Sequence, residues 1–273
     1  MKGRAVNLWI GGVLVALLTA IGLLSLVWTP YDPVIQSIPD RFEPPSPSHP
    51  LGTDQLGRDL VSQLMAASVN SLSVAFVAVG IGGLIGTAMG LLASALGGWV
   101  EAALMRIADL GFAFPALLFA VMLAAAFGPS LGNAILAIAF INVPVFARVA
   151  RGAANQIWAR DFIMAARATG LSGWDVTRRH ILPNIAPILI VQATIEFAVA
   201  ILAEAALSYL GLGAQPPMPS WGRMLSEAQT LMFIAPELAI YPGLCIFLAV
   251  LGFGLLGDGL RDLTDPRLVR ARV

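Results

Sequence analysis

Residues 72–96 form an unbroken apolar stretch, LSVAFVAVGIGGLIGTAMGLLASAL, that contains no charged residue. A helix of about 20 apolar residues crosses the roughly 30 Å hydrocarbon core of a bilayer. Because backbone groups in lipid must be satisfied within the segment, this stretch predicts a membrane-spanning helix. Small residues predict that a second helix packs closely against it. They are Gly80, Gly82, Gly83, Gly86 and Gly90.

Five further apolar runs have lengths that suit membrane-spanning helices. They are, approximately, residues 8–27, 107–127, 131–149, 185–207 and 238–256. The chain is 58% hydrophobic and 12% charged, whereas soluble domains are about 45–50% apolar and about 25% charged. We therefore predict an all-α membrane protein with six transmembrane helices. Pro115 and Pro144 predict kinks in the third and fourth of them.

The basic residues predict the orientation of the chain. If Lys2 and Arg4 lie inside, alternating spans place residues 29–67, 128–130 and 208–237 outside. Thirteen of the 16 basic residues then lie inside, which is the positive-inside pattern. The exceptions are Arg41, Arg58 and Arg223. We therefore predict a multi-pass protein of a bacterial inner membrane with both termini in the cytoplasm.

Two of the connecting segments are too long to be simple connectors. We divide the chain into residues 1–67, a first transmembrane helix plus an external segment, and residues 68–273, a core that contains an internal loop at 148–183. The external segment begins with many prolines, so its first part is predicted to be extended. A short helix is predicted to follow, with Leu60 and Leu64 on one face.

The internal loop is predicted to contain two short helices. The first covers residues 157–169, and a helically spaced stripe lies along it. This stripe consists of Trp158, Phe162, Ala165 and Thr169. Gly170 occupies the position expected for a left-handed C-cap.

The second short helix is predicted to begin at Ser172, since Ser172 and Asp175 fit a capping box. Pro183 is predicted to end this helix, because proline disfavours helix at the residue before it. Asn184 is then expected to cap the fifth span.

Several kinds of chemistry are excluded by residue counts. The chain has one lysine, Lys2, so a P-loop for nucleotide binding is impossible. Its single cysteine, Cys245, lies in an apolar run, and one cysteine cannot form an internal disulfide. The formal net charge is zero, which gives no basic surface for nucleic acid. No catalytic, cofactor or metal site is predicted in this chain.

Ionisable residues within the spans are candidates for function. Asp109 is interpreted as an interfacial ion pair with Arg106, one turn away. Glu204 lies near the outer face, where it is expected to reach water. Glu196 is mid-span, and two interpretations of it stay equally open: a hydrogen bond between helices, or a group on a substrate or proton path. Polar residues that could line such a path are Asn142, Gln192 and Glu196.

The internal loop resembles the cytoplasmic E-A-A…G…L-P loop of ABC importer permeases. Residues 164–170 read MAARATG, and Leu182 and Pro183 follow at the matching distance. The departure is Met164, where the family pattern often has Glu. The resemblance implies that this loop couples the permease to an ATPase. The implied coupling residues are Phe162, Met164, Ala165, Ala166, Arg167, Gly170, Leu171 and Pro183.

Further motifs resemble permeases of the dipeptide, oligopeptide and nickel group, of the C type. They are HPLGTDQLGRD at 49–59, SYLGLG at 208–213, PSWG at 219–222 and GDGLRD at 257–262 followed by DPR at 265–267. The first of these implies an external segment that faces a binding protein. The implied residues are His49, Gly52, Thr53, Asp54, Gly57, Arg58 and Asp59.

The resemblance implies a type I ABC importer permease fold and a non-catalytic subunit that moves dipeptides or oligopeptides. The implied partners are a second homologous permease, two ATPase subunits that bind ATP and Mg, and an external solute-binding protein. Nickel or a metal chelate stays open as cargo. An ion-coupled secondary transporter using Glu196 is the alternative from another class. Without the resemblance, a solvated connector would explain the internal loop equally well.

Overall fold

The computed structural model describes residues 2–264, and the regular structure in this part of the chain is helical. The long helices are α1 (Lys2–Ser25), α2 (Leu60–Leu96), α5 (Leu131–Trp158), α8 (Leu182–Tyr209) and α10 (Glu237–Thr264). The shorter helices are α3 (Gly98–Ala113), α4 (Ala116–Phe127), α6 (Asp161–Ala168), α7 (Gly173–Val176) and α9 (Trp221–Ala228). The all-α membrane fold predicted from the apolar runs is confirmed.

Five helices of the described chain are long and apolar enough to cross a membrane. The predicted third span differs from them, because it consists of α3 and α4, which meet at an angle of 82°. The break falls at Phe114 and Pro115, both of which have extended backbone conformations. The residue before a proline avoids helical geometry, so the kink expected at Pro115 is a complete interruption. The bundle has six spans when this bent pair counts as one. Pro144, in contrast, lies inside the continuous helix α5.

Helix α2 begins earlier than predicted, at Leu60, and runs without interruption for 37 residues. The separate short helix expected near Leu60 and Leu64 is wrong, since both residues lie in the first turns of α2 and are buried. Asp59 starts the helix by accepting a hydrogen bond from the backbone N–H of Ser62 at 2.8 Å, as an N-cap does. Helix α2 continues through residues 67 and 68. The division of the chain after residue 67 stays a prediction.

Glycines determine how α2 packs against α5. Gly82, Gly86 and Gly90 recur every four residues and therefore lie on one face of the helix. A Cβ added at Gly86 would overlap the carbonyl oxygen of Val143, and one at Gly90 would overlap that of Ala147. This confirms the close packing predicted from the small residues. Gly80 differs, because nothing lies within 4 Å of a Cβ built there.

Helix α8 corrects the prediction at Pro183. A π turn at Thr177–Ile181 joins α7 directly to α8, so one helix extends from Gly173 to Tyr209. Pro183 falls just after this turn, where the wider i→i+5 pattern accommodates a residue that has no N–H. Asn184 caps no helix, and its Nδ2 instead donates to the carbonyl oxygen of His180 at 2.6 Å.

Candidate functional site

The internal loop is a compact hairpin between α5 and α8. The first of its predicted helices is shorter than expected, because α5 extends to Trp158 and α6 begins only at Asp161. Ile163 is 0% exposed and fixes α6 against the lower parts of α5 and α8. Ile163 belongs to one buried cluster, whose other members are Ala150, Ala153, Ala154, Val176, Ile181 and Ile185.

Two large apolar side chains of α6 are exposed. Phe162 is 46% exposed, Met164 is 60% exposed, and Trp174 of α7 is also exposed. The predicted stripe therefore does not pack inside the chain, since Phe162, Ala165 and Thr169 all face out. The hairpin is held by the buried side chains of Ile163 and Val176, and exposed apolar side chains of this kind are typical of surfaces that bind a partner.

The turn between the two short helices is as predicted. Gly170 has φ +87°, a left-handed conformation that glycine adopts at little cost. Ser172 caps α7: its Oγ accepts from the N–H of Asp175 at 3.1 Å and donates to the carboxylate of Asp175 at 2.6 Å. The other residues predicted for this loop are also at the surface or half-buried. They are Ala166, Arg167, Leu171 and Pro183.

The external segment is organised by two buried acids. Asp54 Oδ2 accepts from Arg58 Nε at 2.6 Å and from Gln63 Nε2 at 2.9 Å. Asp59 Oδ1 lies 3.0 Å from His49 Nδ1. Thr53 forms an isolated β-bridge with Asp59. These bonds fold the segment back onto the start of α2.

Arg58 also connects the external segment to α9, because its Nη2 donates to Glu227 Oε2 at 2.7 Å. Burial alone would lower the pKa of Arg58, but the carboxylates of Asp54 and Glu227 outweigh it, so the pKa is raised.

Two glycines form turns of the external segment, since Gly52 and Gly57 have φ of +79° and +72°. A Cβ at Gly57 would overlap the backbone of Ser37.

Six of the seven residues predicted to face a binding protein are in fact buried, and the seventh, His49, is half-buried. The polar side chains among them hold the segment together from within, and the exposed surface comes from other positions. Among those positions are Pro44, Pro45, Pro47 and Pro50.

The three residues predicted to line a transport path lie on two helices, one on α5 and two on α8. Asn142 donates to the carbonyl oxygen of Ile138 on its own helix at 3.0 Å and packs where Gly82 of α2 approaches α5. Gln192 Nε2 donates to Glu196 Oε1 at 2.8 Å, one turn apart on α8. The bond that Glu196 makes is therefore within one helix.

Two of the predictions for ionisable residues are wrong. Asp109 pairs with Arg148 of α5, at 2.6 Å between Oδ1 and Nη2, and not with Arg106. The same guanidinium lies 4.3 Å from the ring centre of Phe112. Glu204 does not reach water, since it is 0% exposed.

Sequence reasoning missed the group around Glu204. Ser208 Oγ donates to Glu204 Oε1 at 2.7 Å, and Ser71 and Ser220 lie beside the same carboxylate. The spacing of Glu204 and Ser208, one helical turn, is a signal that could have indicated their hydrogen bond. Nothing in the sequence indicates the approach of Ser71, which is more than 130 positions away.

Comparison with solved structures supports the fold class. A chain of the MetNI methionine ABC transporter in an inward-facing conformation superposes with a TM-score of 0.57 over 75% of this chain and 93% of that chain, at 22% sequence identity. The helical bundle therefore has the fold of that chain.

The family follows from the sequence comparisons. Residues 82–270 match the model of the binding-protein-dependent transport system inner membrane component, and the chain belongs to this family. Similar proteins include the glutathione transport system permease protein GsiD of Pectobacterium atrosepticum, 44% identical over 94% of this chain and 86% of that protein. The probable D,D-dipeptide transport system permease protein DdpC of Escherichia coli is 40% identical over 92% of this chain and 86% of that protein.

A third relative is the dipeptide transport system permease protein DppC of Alkalihalophilus pseudofirmus, 45% identical over 84% of this chain and 75% of that protein. The permease group predicted from the loop motifs is thereby confirmed. The chain is a multi-pass protein of the bacterial inner membrane and a permease subunit of an ABC importer. Membership implies partner ATPases, which handle ATP, together with a substrate-binding protein and a second permease.

Proposed function

We propose that this chain is the non-catalytic permease subunit of an importer for dipeptides or other short peptides. The observation that carries the proposal is that relatives of 40–45% identity, aligned over most of the chain, are named for glutathione and dipeptide transport. The assembly we propose contains one copy of this chain, one related permease and two ATPase subunits that bind ATP and Mg. An external binding protein delivers the peptide.

The internal loop is the coupling element in this proposal. Its apolar residues Phe162 and Met164 enter a groove on an ATPase subunit, as amphipathic helices enter apolar grooves on their partners. Both termini and the loop at 148–183 then lie in the cytoplasm, which the distribution of arginines supports. The residue division at 67 and the roles of Ala165, Ala166, Arg167, Gly170, Leu171 and Pro183 belong to the same proposal.

The external segment serves the delivery side of the proposed cycle. The buried residues Thr53, Asp54, Arg58 and Asp59 hold it in shape, with Gly52 and Gly57 at its turns and His49 against Asp59. The binding protein then contacts the exposed prolines and not these side chains. The path itself is proposed to involve Asn142, Gln192 and Glu196.

The coupling role is tested by Gly170→Arg in the reconstituted assembly. An arginine at φ +87° is strained and adds bulk on the docking face. We expect binding-protein stimulation of ATP hydrolysis to be lost while the chain still inserts. Gly173→Ala is the matched control, because Gly173 lies in the same hairpin, has ordinary backbone geometry and has open space around it. Unchanged stimulation in Gly170→Arg contradicts the coupling role.

The cargo is tested separately by competition. Vesicles that contain the full assembly should take up a labelled dipeptide in the presence of ATP, and unlabelled peptides should compete. Competition by a nickel chelate and not by peptides would transfer the cargo to the metal alternative. The described residues contain no group of three or more His, Cys, Asp and Glu side chains arranged to hold a metal. This finding concerns metal binding by the permease chain and not by the binding protein.

A further inference from the structure

Glu204 is a carboxylate inside the bundle, one turn and a half before the end of α8, and it is 0% exposed. Ionisable groups in spanning helices are costly and usually have a function. Its neighbours are hydroxyl groups: Ser208 donates to Oε1 at 2.7 Å, and Ser71 of α2 and Ser220 lie beside the carboxylate. Among the described residues Oε2 has no hydrogen-bond partner, so neither Ser71 nor Ser220 bonds to it in this structure.

Each of the three serines also accepts a backbone N–H, either from the connection that follows α8 or from the first turn of α9. Ala214 N–H donates to Ser208 Oγ at 3.1 Å, and Trp221 N–H donates to Ser71 Oγ at 3.3 Å. The third donor is the N–H of Arg223, which reaches Ser220 Oγ at 3.2 Å. A hydroxyl that accepts an amide proton still has its own proton to donate. Ser208 gives its own proton to Glu204 Oε1, and the hydroxyls of Ser71 and Ser220 lie beside the same carboxylate, each with a proton still to donate.

Close backbone contacts bring α9 against α8 near Glu204. A Cβ at Gly222, in the first turn of α9, would overlap the carbonyl oxygen of Ala205. Asn70 Nδ2 donates to the carbonyl oxygen of Pro219 at 2.6 Å, which fixes the same connection to α2. Helix α9 is thus seated on α8 and α2 where the serines gather.

Two longer connections start from this place. Toward the outside, the bond of Glu227 to Arg58 joins α9 to the external segment. Toward the inside, the helix that bears Glu204 continues without a break to Gly173 in the coupling hairpin. At 1.5 Å per residue this helix is about 55 Å long.

We propose that Glu204 is a positioning residue that fixes α9, and with it the external segment, to the outer end of α8, so that both move with this helix during transport. This inference rests on the proposed transport function. In this proposal one buried carboxylate connects two parts of the chain. The first is the external segment, which faces the binding protein, and the second is α8, which the ATPase moves. A glutamine can accept from Ser208 and supply further hydrogen bonds, whereas a methionine of similar size can do neither.

The position of α9 can be measured without transport. In a Cys245→Ala background, Met224→Cys places a thiol on the buried face of α9. A membrane-impermeant maleimide should label it poorly in the parent and in Glu204→Gln, and several-fold more in Glu204→Met. Continued protection of the thiol in Glu204→Met overturns the proposal, whatever the uptake rate.

Uptake is measured in the same variants within the assembled importer. Glu204→Met should lower binding-protein-dependent uptake about tenfold, within the range of coupling between sites, while Glu204→Gln should stay close to the parent. Uptake within about twofold of the parent in Glu204→Met overturns the proposal. If Glu204→Met does not accumulate, a Ser71→Ala and Ser220→Ala double variant is measured in both ways, with the same expectations.

The two proposals fail differently. A parent assembly that takes up no peptide counts against the proposed function, and the maleimide result still decides the role of Glu204. A parent that transports, with Glu204→Met equally protected from the maleimide, counts against the role of Glu204 alone.

Discussion

Arg58 Nη2 lies 2.7 Å from Glu227 Oε2, so one side chain joins the external segment to a helix that begins more than 160 positions later. The same guanidinium donates through Nε to Asp54. Arg58 is only 7% exposed, and breaking a hydrogen-bonded charge pair in such a place leaves charges without partners.

Replacing Arg58 with alanine should therefore destabilise the packing of the external segment against α9 by about 2 kcal/mol. Thermal unfolding of the purified assembly measures this as a midpoint lowered by several degrees. Arg41→Ala is the control, since it removes the same charge from an exposed position in the same segment. Equal midpoints for the two variants would show that the contact between Arg58 and Glu227 contributes nothing measurable.

The close approach of α2 and α5 predicts a difference between two glycines of one helix. Gly86→Ala forces α2 away from the backbone of Val143, whereas Gly80→Ala meets open space. We expect the first change to lower the unfolding midpoint clearly, because the lost contacts extend along the helix pair. The second should have little effect. Similar midpoints would mean that the two helices separate at little cost.

Two adjacent residues of α6 should separate docking from folding. Phe162→Ala removes an exposed ring and should reduce binding-protein stimulation of ATP hydrolysis with no change in unfolding midpoint. Ile163→Ala creates a cavity in the cluster that fixes α6, at a cost of about 2–4 kcal/mol. Fluorescence-detected chromatography and thermal unfolding follow stability, and ATPase assays follow coupling. Full stimulation in Phe162→Ala would contradict the docking role of this face.

Glu196 distinguishes an ATP-driven importer from an ion-coupled transporter. Glu196→Gln can keep a hydrogen bond with Gln192, which lies 2.8 Å away, but it cannot carry a proton across the membrane. We expect uptake to persist in this variant and to stop when the ATPase subunits are omitted. Uptake that stops in Glu196→Gln and persists without ATPase subunits would favour the ion-coupled alternative.

The sequence predicts features that depend on local geometry. Gly170 is recognisable as a C-cap because a left-handed residue is needed directly after a helix, and Ser172 as an N-cap because of Asp175. The glycines of α2 are likewise recognisable, since their spacing determines a helix face.

Features that depend on distant contacts are not predictable in this way. Local spacing pairs Asp109 with a neighbour one turn away, whereas its partner is Arg148 on another helix. The position of Glu204 along α8 alone suggests access to water, but α2 and α9 cover it. The external motif suggests exposed residues for recognition, although Asp54, Arg58 and Asp59 instead determine how the segment folds.

The π turn at Thr177–Ile181 has a consequence for the angular register of the molecule. A π turn holds one residue more than an α turn, and one residue corresponds to about 100° of rotation around a helix axis. Deleting a single residue from this turn would give a regular α-helix and keep every other residue. The hairpin with Phe162 and Met164 would then point about 100° away from its present direction relative to the faces of α8. The one extra residue in this turn thus sets the direction in which the hairpin faces a binding partner.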